Sequence, residues 1–367
     1  MFLMVVVPTA VILVVCGEIG LTQSFQGQAV TVGLIWIFLG GLWSHLNSRP
    51  KFRRLDLDAY LYLFPAIVIL GVFHIIPVFY ALVLSFYRTQ SVFTDLFVGL
   101  SNYKEMLGEE MFWMSLRNTA WFVICTVPTT IAISLGIAVL LNSPIRGKGF
   151  YRTIYFLPVV TSVAAVSIVW KWVYNPQLGL LNYVLTQWFG LTQFARFDWL
   201  KQNQGVLDLM ASGVGLTLPA WFPDGPSVAM LCVVVMSVWK GLGYNVVIFL
   251  AGLQNIPKEL YEVARIDGAG VWQSFRNITW PLLTPTTYFI LITTTISSFQ
   301  VFAQIYMLYD GLPSDSTNVI VFYMYEVGIQ KTNRFGYGSA VAYALFLIIF
   351  GLTLFQRRFV ERRVHYN

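Results

Sequence analysis

Two apolar stretches of the chain carry polar side chains at the spacing of one helix face. The first set is Ser237, Lys240, Gly241 and Tyr244, and the second set is Thr293, Ser297, Gln300 and Gln304. Their hydroxyl, amide and ammonium groups can hydrogen-bond a polar solute. Polar side chains inside apolar spans are costly and face a cavity or a neighbouring helix. The two stripes therefore predict a polar pathway, with hydrogen bonding between helices as the alternative.

Lys240 is the one charged member of the two stripes. An ammonium deep in an apolar segment binds a polar ligand, extends towards the membrane surface or pairs with a partner subunit. The sequence leaves these three roles open.

The composition indicates that membrane spans hold these stripes. The 367-residue chain is 57% hydrophobic and 11% charged, with a mean hydropathy of +0.68. A helical span needs about 20 mostly apolar residues. Eight segments meet this requirement, near residues 2–21, 29–46, 60–87, 117–142, 153–174, 228–253, 283–308 and 337–356. The sequence thus predicts an all-α, polytopic membrane protein with about eight transmembrane helices.

The formal charge of +6 has an explanation in membrane topology and does not require a nucleic-acid partner. Fourteen of the 23 lysine and arginine residues fall in four short segments, near residues 49–54, 146–152, 258–276 and 357–363. Basic residues concentrate in cytoplasmic loops. This asymmetry predicts that both termini are cytoplasmic.

The eight segments divide into two parts. Residues 1–58 are expected to form an appended transmembrane hairpin that ends in a basic cytoplasmic clamp. Residues 59–367 are expected to form a six-span core. In this core, an outer insert at about 175–226 would form short interfacial helices or a cap, and a polar cytoplasmic loop covers about 255–281.

The sequence gives little support for a catalytic site or a metal-binding site. The three cysteines, Cys16, Cys125 and Cys232, lie far apart in apolar runs, which favours buried hydrophobic positions over a disulfide or a metal site. A phosphate-binding loop requires Gly-x4-Gly-Lys-Ser/Thr, whereas Gly147-Lys148 is followed by glycine. An intramembrane enzyme would need a catalytic constellation, and a secondary transporter would need carboxylates at mid-membrane; neither pattern is seen in the spans.

The polar loop "ELYEVARIDGAGVWQSFRNITWP" can be divided by local rules. Pro257 suits a helix start, and residues 258–266 predict a short amphipathic helix. Asp267-Gly268 predicts a turn with positive φ at the glycine. A second helix is expected from about Val271, and Pro281 would end it. Periodicity alone is also compatible with an ordinary solvated connection.

The amino-acid sequence of this loop resembles the Glu-Ala-Ala motif of importer permeases that are driven by ATP-binding-cassette (ABC) subunits. Glu262-Val263-Ala264, Gly268, Ile278 and Trp280-Pro281 keep every spacing of that motif, with valine and tryptophan as mild departures. Blocks such as "IRGKGFYRTIYFLPVV", "WKWVYNPQLGLLNYVL" and "SFQVFAQIYML" also follow, in order, those of the sugar-type permeases. The resemblance, to the maltose, glycerol-phosphate and multiple-sugar group, covers roughly residues 60–360.

The resemblance implies a type I ABC importer permease fold, located in a bacterial or archaeal inner membrane. Its solute would be a sugar, a glycoside or a polyol. It implies a second, sequence-distinct permease in a heterodimer, two ATP-binding subunits that bind ATP and magnesium, and an extracytoplasmic solute-binding protein. The chain itself would hold no cofactor. The loop would dock on an ATP-binding subunit through Glu259, Glu262, Ala264, Arg265, Asp267, Gly268, Ala269, Ile278 and Pro281.

The same resemblance assigns solute contacts to the two spans that flank the loop. They are Ser237, Gly241 and Tyr244 on the first span, and Thr294 and Ser298 on the second. On the second span, the stripe and the resemblance select neighbouring residues rather than the same ones. The predicted pathway therefore includes Lys240, Ser297 and Gln300 together with these five.

Overall fold

A computed structural model describes residues 54–89, 95–143, 146–213, 225–311, 314–331 and 333–360. The described chain is mainly helical and divides into two compact units between Leu84 and Ser85. The first two predicted spans, within residues 1–53, lie outside the described residues, so the proposed boundary at residue 58 stays a prediction.

The first unit contains one long apolar helix. It comprises α1 (Arg54–Leu70), a π-helical turn (Gly71–Ile75) and α2 (Ile76–Leu84), and it includes a candidate membrane span at Tyr62–Leu84. The π-helical turn immediately precedes the helical segment that contains Pro77. Because proline has no N–H to donate one turn back, a local change of hydrogen-bond register lets the helix continue past it.

The second unit opens with a small antiparallel hairpin that the sequence did not predict. Strand β1 (Tyr87–Thr89) pairs with β2 (Asp95–Phe97), and α3 (Ser101–Gly108) follows. The Tyr103 hydroxyl lies 2.7 Å from the hydroxyl of Ser85. This contact anchors α3 at the start of the unit.

The helices of the bundle follow. They are α4 (Glu110–Asn142), α5 (Lys148–Val160), α6 (Val163–Val173), α7 (Leu180–Gln187), α8 (Val206–Gly213), α9 (Val228–Gln254), α10 (Lys258–Ile266), α11 (Val271–Ser274), α12 (Trp280–Leu282), α13 (Thr284–Phe299), α14 (Ala303–Leu308), α15 (Ile320–Tyr325) and α16 (Phe335–Val360). Further π-helical turns lie at Phe275–Thr279 and Glu326–Gln330, and single 3-10 turns lie at Thr192–Phe194 and Trp199–Lys201. The described part of the predicted insert, residues 175–213, contains short helices, and its location outside the membrane stays a prediction.

Four helices in the described residues are long and apolar enough to cross a membrane, and two bent pairs raise that number to six. The predicted span at 153–174 is not one straight helix, because α5 and α6 meet at an angle of 102°. Pro158 lies in the last turn of α5, and Ser162 caps α6 by accepting a hydrogen bond from the N–H of Ala165. Proline weakens the helix end, and the cap starts a new helix in another direction.

The predicted span at 283–308 is also not one helix. It starts at a 64° bend between residues 271–282 and α13, which agrees with the predicted start near residue 283. Pro285 cannot donate to the carbonyl of Pro281, and the Thr284 hydroxyl donates to that carbonyl instead, at 2.6 Å. Helix α13 ends at Phe299, because Val301 and Phe302 turn into an apolar cluster. Tertiary packing therefore ends the helix within an apolar run that is long enough to continue as one helix.

Helix α9 passes through two apolar clusters. Its first half packs through Met230 and Val233 in one cluster, and its second half packs through Val246 and Phe249 in another. Lys240, Gly241 and Tyr244 lie between the two clusters along the helix. Burial of apolar surface at both ends therefore holds a polar segment at the middle of the helix.

Candidate functional site

A cavity of about 280 Å³ lies against the middle of α9. Helices α4, α5, α9 and α13, with the segment that follows α13, form its walls. The lining residues are Phe122, Thr126, Thr130, Val159, Ser237, Lys240, Gly241, Tyr244, Asn245, Thr293, Thr294, Ser297, Ser298, Val301 and Gln304. The cavity is therefore polar on several sides, with a few apolar walls.

The whole predicted stripe of α9 lies on this cavity. Ser237, Lys240, Gly241 and Tyr244 all line it. A Cβ atom built on Gly241 would lie 3.9 Å from the Thr130 methyl group and would contact nothing closer. The glycine thus leaves space in the cavity rather than permitting close packing of two backbones.

Helix α13 supplies the facing wall. Thr293, Thr294, Ser297 and Ser298 all line the cavity, so both the stripe and the neighbouring pair from the resemblance reach it. Gln304 also lines it, whereas Gln300 is exposed and does not. The reason is that α13 ends at Phe299, so the helical period no longer applies at Gln300.

Helix α4 contributes Thr126 and Thr130, which the sequence reasoning missed. Together with Phe122 they recur every four residues and therefore share one face of α4. The same criterion applied to this span would have found them. The run "TVPTT" obscures the pattern, because it holds a third threonine and Pro128.

Three cavity hydroxyls have no partner among the described residues. They belong to Thr126, Thr130 and Ser237, and each oxygen is buried. Elsewhere in the helices such hydroxyls donate to the carbonyl one turn back, as those of Thr119 and Ser167 do. Buried polar groups are nearly always hydrogen-bonded. These three buried hydroxyls are therefore candidates for hydrogen bonds to a polar molecule in the cavity.

Lys240 lines the cavity and also contacts protein backbone. Its Nζ atom donates to the carbonyl oxygens of Pro158, at 3.1 Å, and of Thr161, at 2.8 Å. An ammonium has three donors, so one remains beyond these two bonds. Of the described residues that line the cavity, Lys240 is the one that carries a charge. Such a wall disfavours a cationic solute.

The first helix of the polar loop has the predicted bounds, Lys258–Ile266, and Gly268 has the predicted positive φ, of 79°. The N–H of Ala269 donates to the carbonyl of Ala264 at 2.8 Å, and that of Gly268 donates to Arg265 at 3.1 Å. These two bonds form a Schellman cap, which places its left-handed residue at the glycine. The Ala264-to-Gly268 spacing of the motif is therefore the spacing of a helix cap.

The second helix of the loop ends at Leu282, one residue after the predicted end at Pro281. It continues through the π-helical turn Phe275–Thr279 into α12, which contains Pro281 and ends at Leu282. The N–H of Trp280 donates to Phe275, five residues back. As at Pro77, a π-helical turn lies just before the proline. The turn shifts the register of the backbone hydrogen bonds, so the helix continues although proline has no N–H to donate.

The loop is tied to the bundle on one side. The Tyr261 and Thr279 hydroxyls lie 2.9 Å apart, joining the two arms of the loop. Tyr261, Phe275 and Ile278 pack against the apolar cluster that contains Phe249. Ile278 is thus an internal contact that holds the loop to the spans.

The other side of the loop is an exposed surface with apolar and charged members. Ile266, Val271 and Trp272 are 84%, 91% and 72% exposed. Glu259, Glu262, Arg265 and Asp267 are exposed beside them. Exposed apolar residues next to charged ones are typical of a surface for a protein partner.

Covalent connectivity links this loop to the cavity. The loop begins where α9 ends and finishes where α13 begins, and these two helices line the cavity on facing sides. A movement of the loop can therefore be transmitted along the chain to both walls of the cavity.

Comparison with known proteins agrees with this architecture. A family model described as "Binding-protein-dependent transport system inner membrane component" matches residues 129–366. The sn-glycerol-3-phosphate transport system permease protein UgpA of Agrobacterium fabrum is 34% identical, over 84% of this chain and 96% of its own length. The lactose transport system permease protein LacF of Rhizobium radiobacter is 31% identical, over 84% and 96%.

A solved structure shows the same fold. It is the bacterial alginate ABC transporter in complex with alginate pentasaccharide-bound periplasmic protein. The TM-score is 0.68 at 23% identity, with 84% of this chain and 96% of that chain covered. The likeness confirms the predicted permease fold. The family match covers most of the chain, and the chain belongs to the family of binding-protein-dependent transport system inner membrane components.

Proposed function

We propose that this chain is the permease subunit of an ATP-driven importer that moves a sugar, a glycoside or a polyol through the cavity between α4, α9 and α13. The observation that carries the proposal is the link between cavity and loop, since the exposed loop joins the two helices that face each other across the cavity. Alternating access requires such helices to move as rigid bodies. A secondary transporter does not need this loop.

The cavity chemistry supports a solute with many hydroxyl groups. Unpartnered hydroxyls of Thr126, Thr130 and Ser237 can each donate and accept a hydrogen bond. The third donor of Lys240 adds a position for a hydroxyl or a phosphate oxygen. The permeases UgpA and LacF are named for sn-glycerol 3-phosphate and lactose, which are solutes of this chemistry.

The exposed side of the loop is the proposed docking surface for an ATP-binding partner. Glu259, Glu262, Arg265 and Asp267 would set the register through charge, while Gly268 and Ala269 close the cap that shapes the turn. Ala264 and Ile278 act from inside the loop, as helix cap and packing contact, and Pro281 lies near the end of the second loop helix. ATP and magnesium would be bound by two such partners, and a second, distinct permease would complete the pathway.

Reconstitution tests this function. The complete transporter and its solute-binding protein in proteoliposomes should take up at least one member of a panel of saccharides, glycosides, polyols and polyol phosphates when ATP is inside. L-Arginine, a cationic control, should not enter because the cavity already carries an ammonium. ATP-independent uptake driven by a proton or sodium gradient would contradict the proposal and support a secondary transporter.

Membrane orientation is a second testable expectation. The distribution of basic residues places the loop that contains Glu262 in the cytoplasm and the insert that contains Lys201 outside. In a cysteine-free background, Lys201→Cys should react with a membrane-impermeant maleimide in intact cells. Glu262→Cys should react only after the cells are opened. The reverse labelling pattern would refute the orientation. Both side chains are exposed, so neither position is protected from the reagent by burial.

A further inference from the structure

The corner between α5 and α6 lies against the middle of α9. Carbonyl groups of Tyr155, Pro158 and Thr161 face α9 at successive turns of this corner. Val159, between them, lines the cavity. The corner therefore forms one wall of the cavity, and its position relative to α9 determines the shape of that wall.

Gly243 permits this close approach. A Cβ atom built on Gly243 would lie 2.3 Å from the Tyr155 carbonyl oxygen and 2.6 Å from a methyl carbon of Val159. The first of these is a backbone atom, so the overlap could not be relieved by a change of side-chain rotamer. Any larger residue at this position would push the corner away from α9.

Lys240, one helical turn earlier, supplies the attraction at the same contact. Its ammonium bonds both to Pro158, in the last turn of α5, and to Thr161, which ends that helix. The last carbonyls of a helix lack intrahelical partners and carry partial negative charge. A cation at this point satisfies two of the carbonyl groups that the 102° bend leaves open.

We propose that Lys240 is a positioning residue for transport. Its ammonium clamps the corner of α5 and α6 onto α9, and this clamp sets the cavity wall that Val159 forms. The proposal rests on the proposed function of the cavity as the solute pathway. It differs from a direct solute contact, because Lys240 acts here through the backbone of the corner.

Hydrogen exchange of the complete transporter in lipid nanodiscs tests the clamp without transport. Lys240→Met keeps an unbranched side chain but removes the donors. It should speed amide exchange in residues 155–163 by at least about tenfold, as expected from the loss of two hydrogen bonds to a charged group. Lys240→Arg still donates and should restore slow exchange. Gly243→Ala should speed exchange in the same segment, whereas Gly351→Ala, whose Cβ meets nothing within 4 Å, should not.

Uptake measured on the same variants shows whether the clamp matters for transport. Lys240→Met and Gly243→Ala should both slow uptake, and Lys240→Arg should recover most of it.

Unchanged exchange in Lys240→Met would overturn the proposal, and a loss of uptake with unchanged exchange would assign Lys240 to direct solute contact. Faster exchange with normal uptake would overturn the positioning role. Failure of the wild-type transporter to take up any panel solute would count against the proposed function instead, because exchange is measured independently.

Discussion

Gly268→Val is expected to abolish coupled uptake while the permease still inserts into the membrane. Gly268 has a φ of 79° and a Cβ built there meets nothing within 4 Å, so the expected damage comes from the backbone alone. A β-branched residue in a left-handed conformation costs about 1–3 kcal/mol. This cost opens the cap between Ala264 and Ala269 and tilts the first loop helix. Retention of the ATP-binding subunits in detergent should fall by about 5- to 150-fold, the equivalent of that energy.

Two substitutions separate backbone strain from side-chain bulk. Gly268→Asn should retain much of the coupling, because asparagine tolerates the left-handed region. Gly270→Val adds the same bulk two residues later, at a φ of −70° and with open space around its Cβ, and should be milder than Gly268→Val. If all three variants bind the ATP-binding subunits equally well and transport at the wild-type rate, the loop is only a solvated connection.

Charge reversal probes the same surface independently of the cap. Glu262 is exposed, so Glu262→Lys should leave the fold intact and weaken docking if that face meets an ATP-binding subunit. Glu110→Lys, also at an exposed position near a helix start, provides the control. Equal retention of the ATP-binding subunits by both variants would remove Glu262 from the docking surface.

Gly241→Leu is expected to block the solute pathway. The isobutyl group would extend towards Thr130 into a cavity of only about 280 Å³. The leucine side chain would occupy space that Gly241 leaves open, at a cost of about 1–3 kcal/mol, so uptake should fall by about 5- to 150-fold. ATP hydrolysis stimulated by the binding protein should persist in part, because the loop is unchanged.

Gly351→Leu is the matched control for this substitution. Gly351 is an exposed glycine of α16 with nothing within 4 Å of its built Cβ, so the added bulk should be tolerated. Normal uptake by Gly241→Leu would show that the polar stripe of α9 serves helix packing rather than solute passage. Equal loss of uptake and of membrane insertion in both variants would show that the effect comes from folding rather than from blockage.

Local sequence determined the features that depend on neighbouring residues. The loop helix Lys258–Ile266 and the positive φ of Gly268 followed from a short amphipathic period and a turn dipeptide, because both are decided within one or two helical turns. The stripe from Ser237 to Tyr244 also lies on one cavity as expected, since an uninterrupted helix preserves its period.

Only the tertiary structure decided where helices break and what they surround. The apolar runs at 153–174 and 283–308 read as continuous spans, yet the chain bends by 102° in the first and turns into a packed cluster after Phe299 in the second. The partners that stabilise these breaks are distant in sequence: Lys240 lies 79 residues from Thr161. Gln300 does not line the cavity because α13 ends at Phe299, and Thr126 lines it because packing places a polar face of α4 against α9.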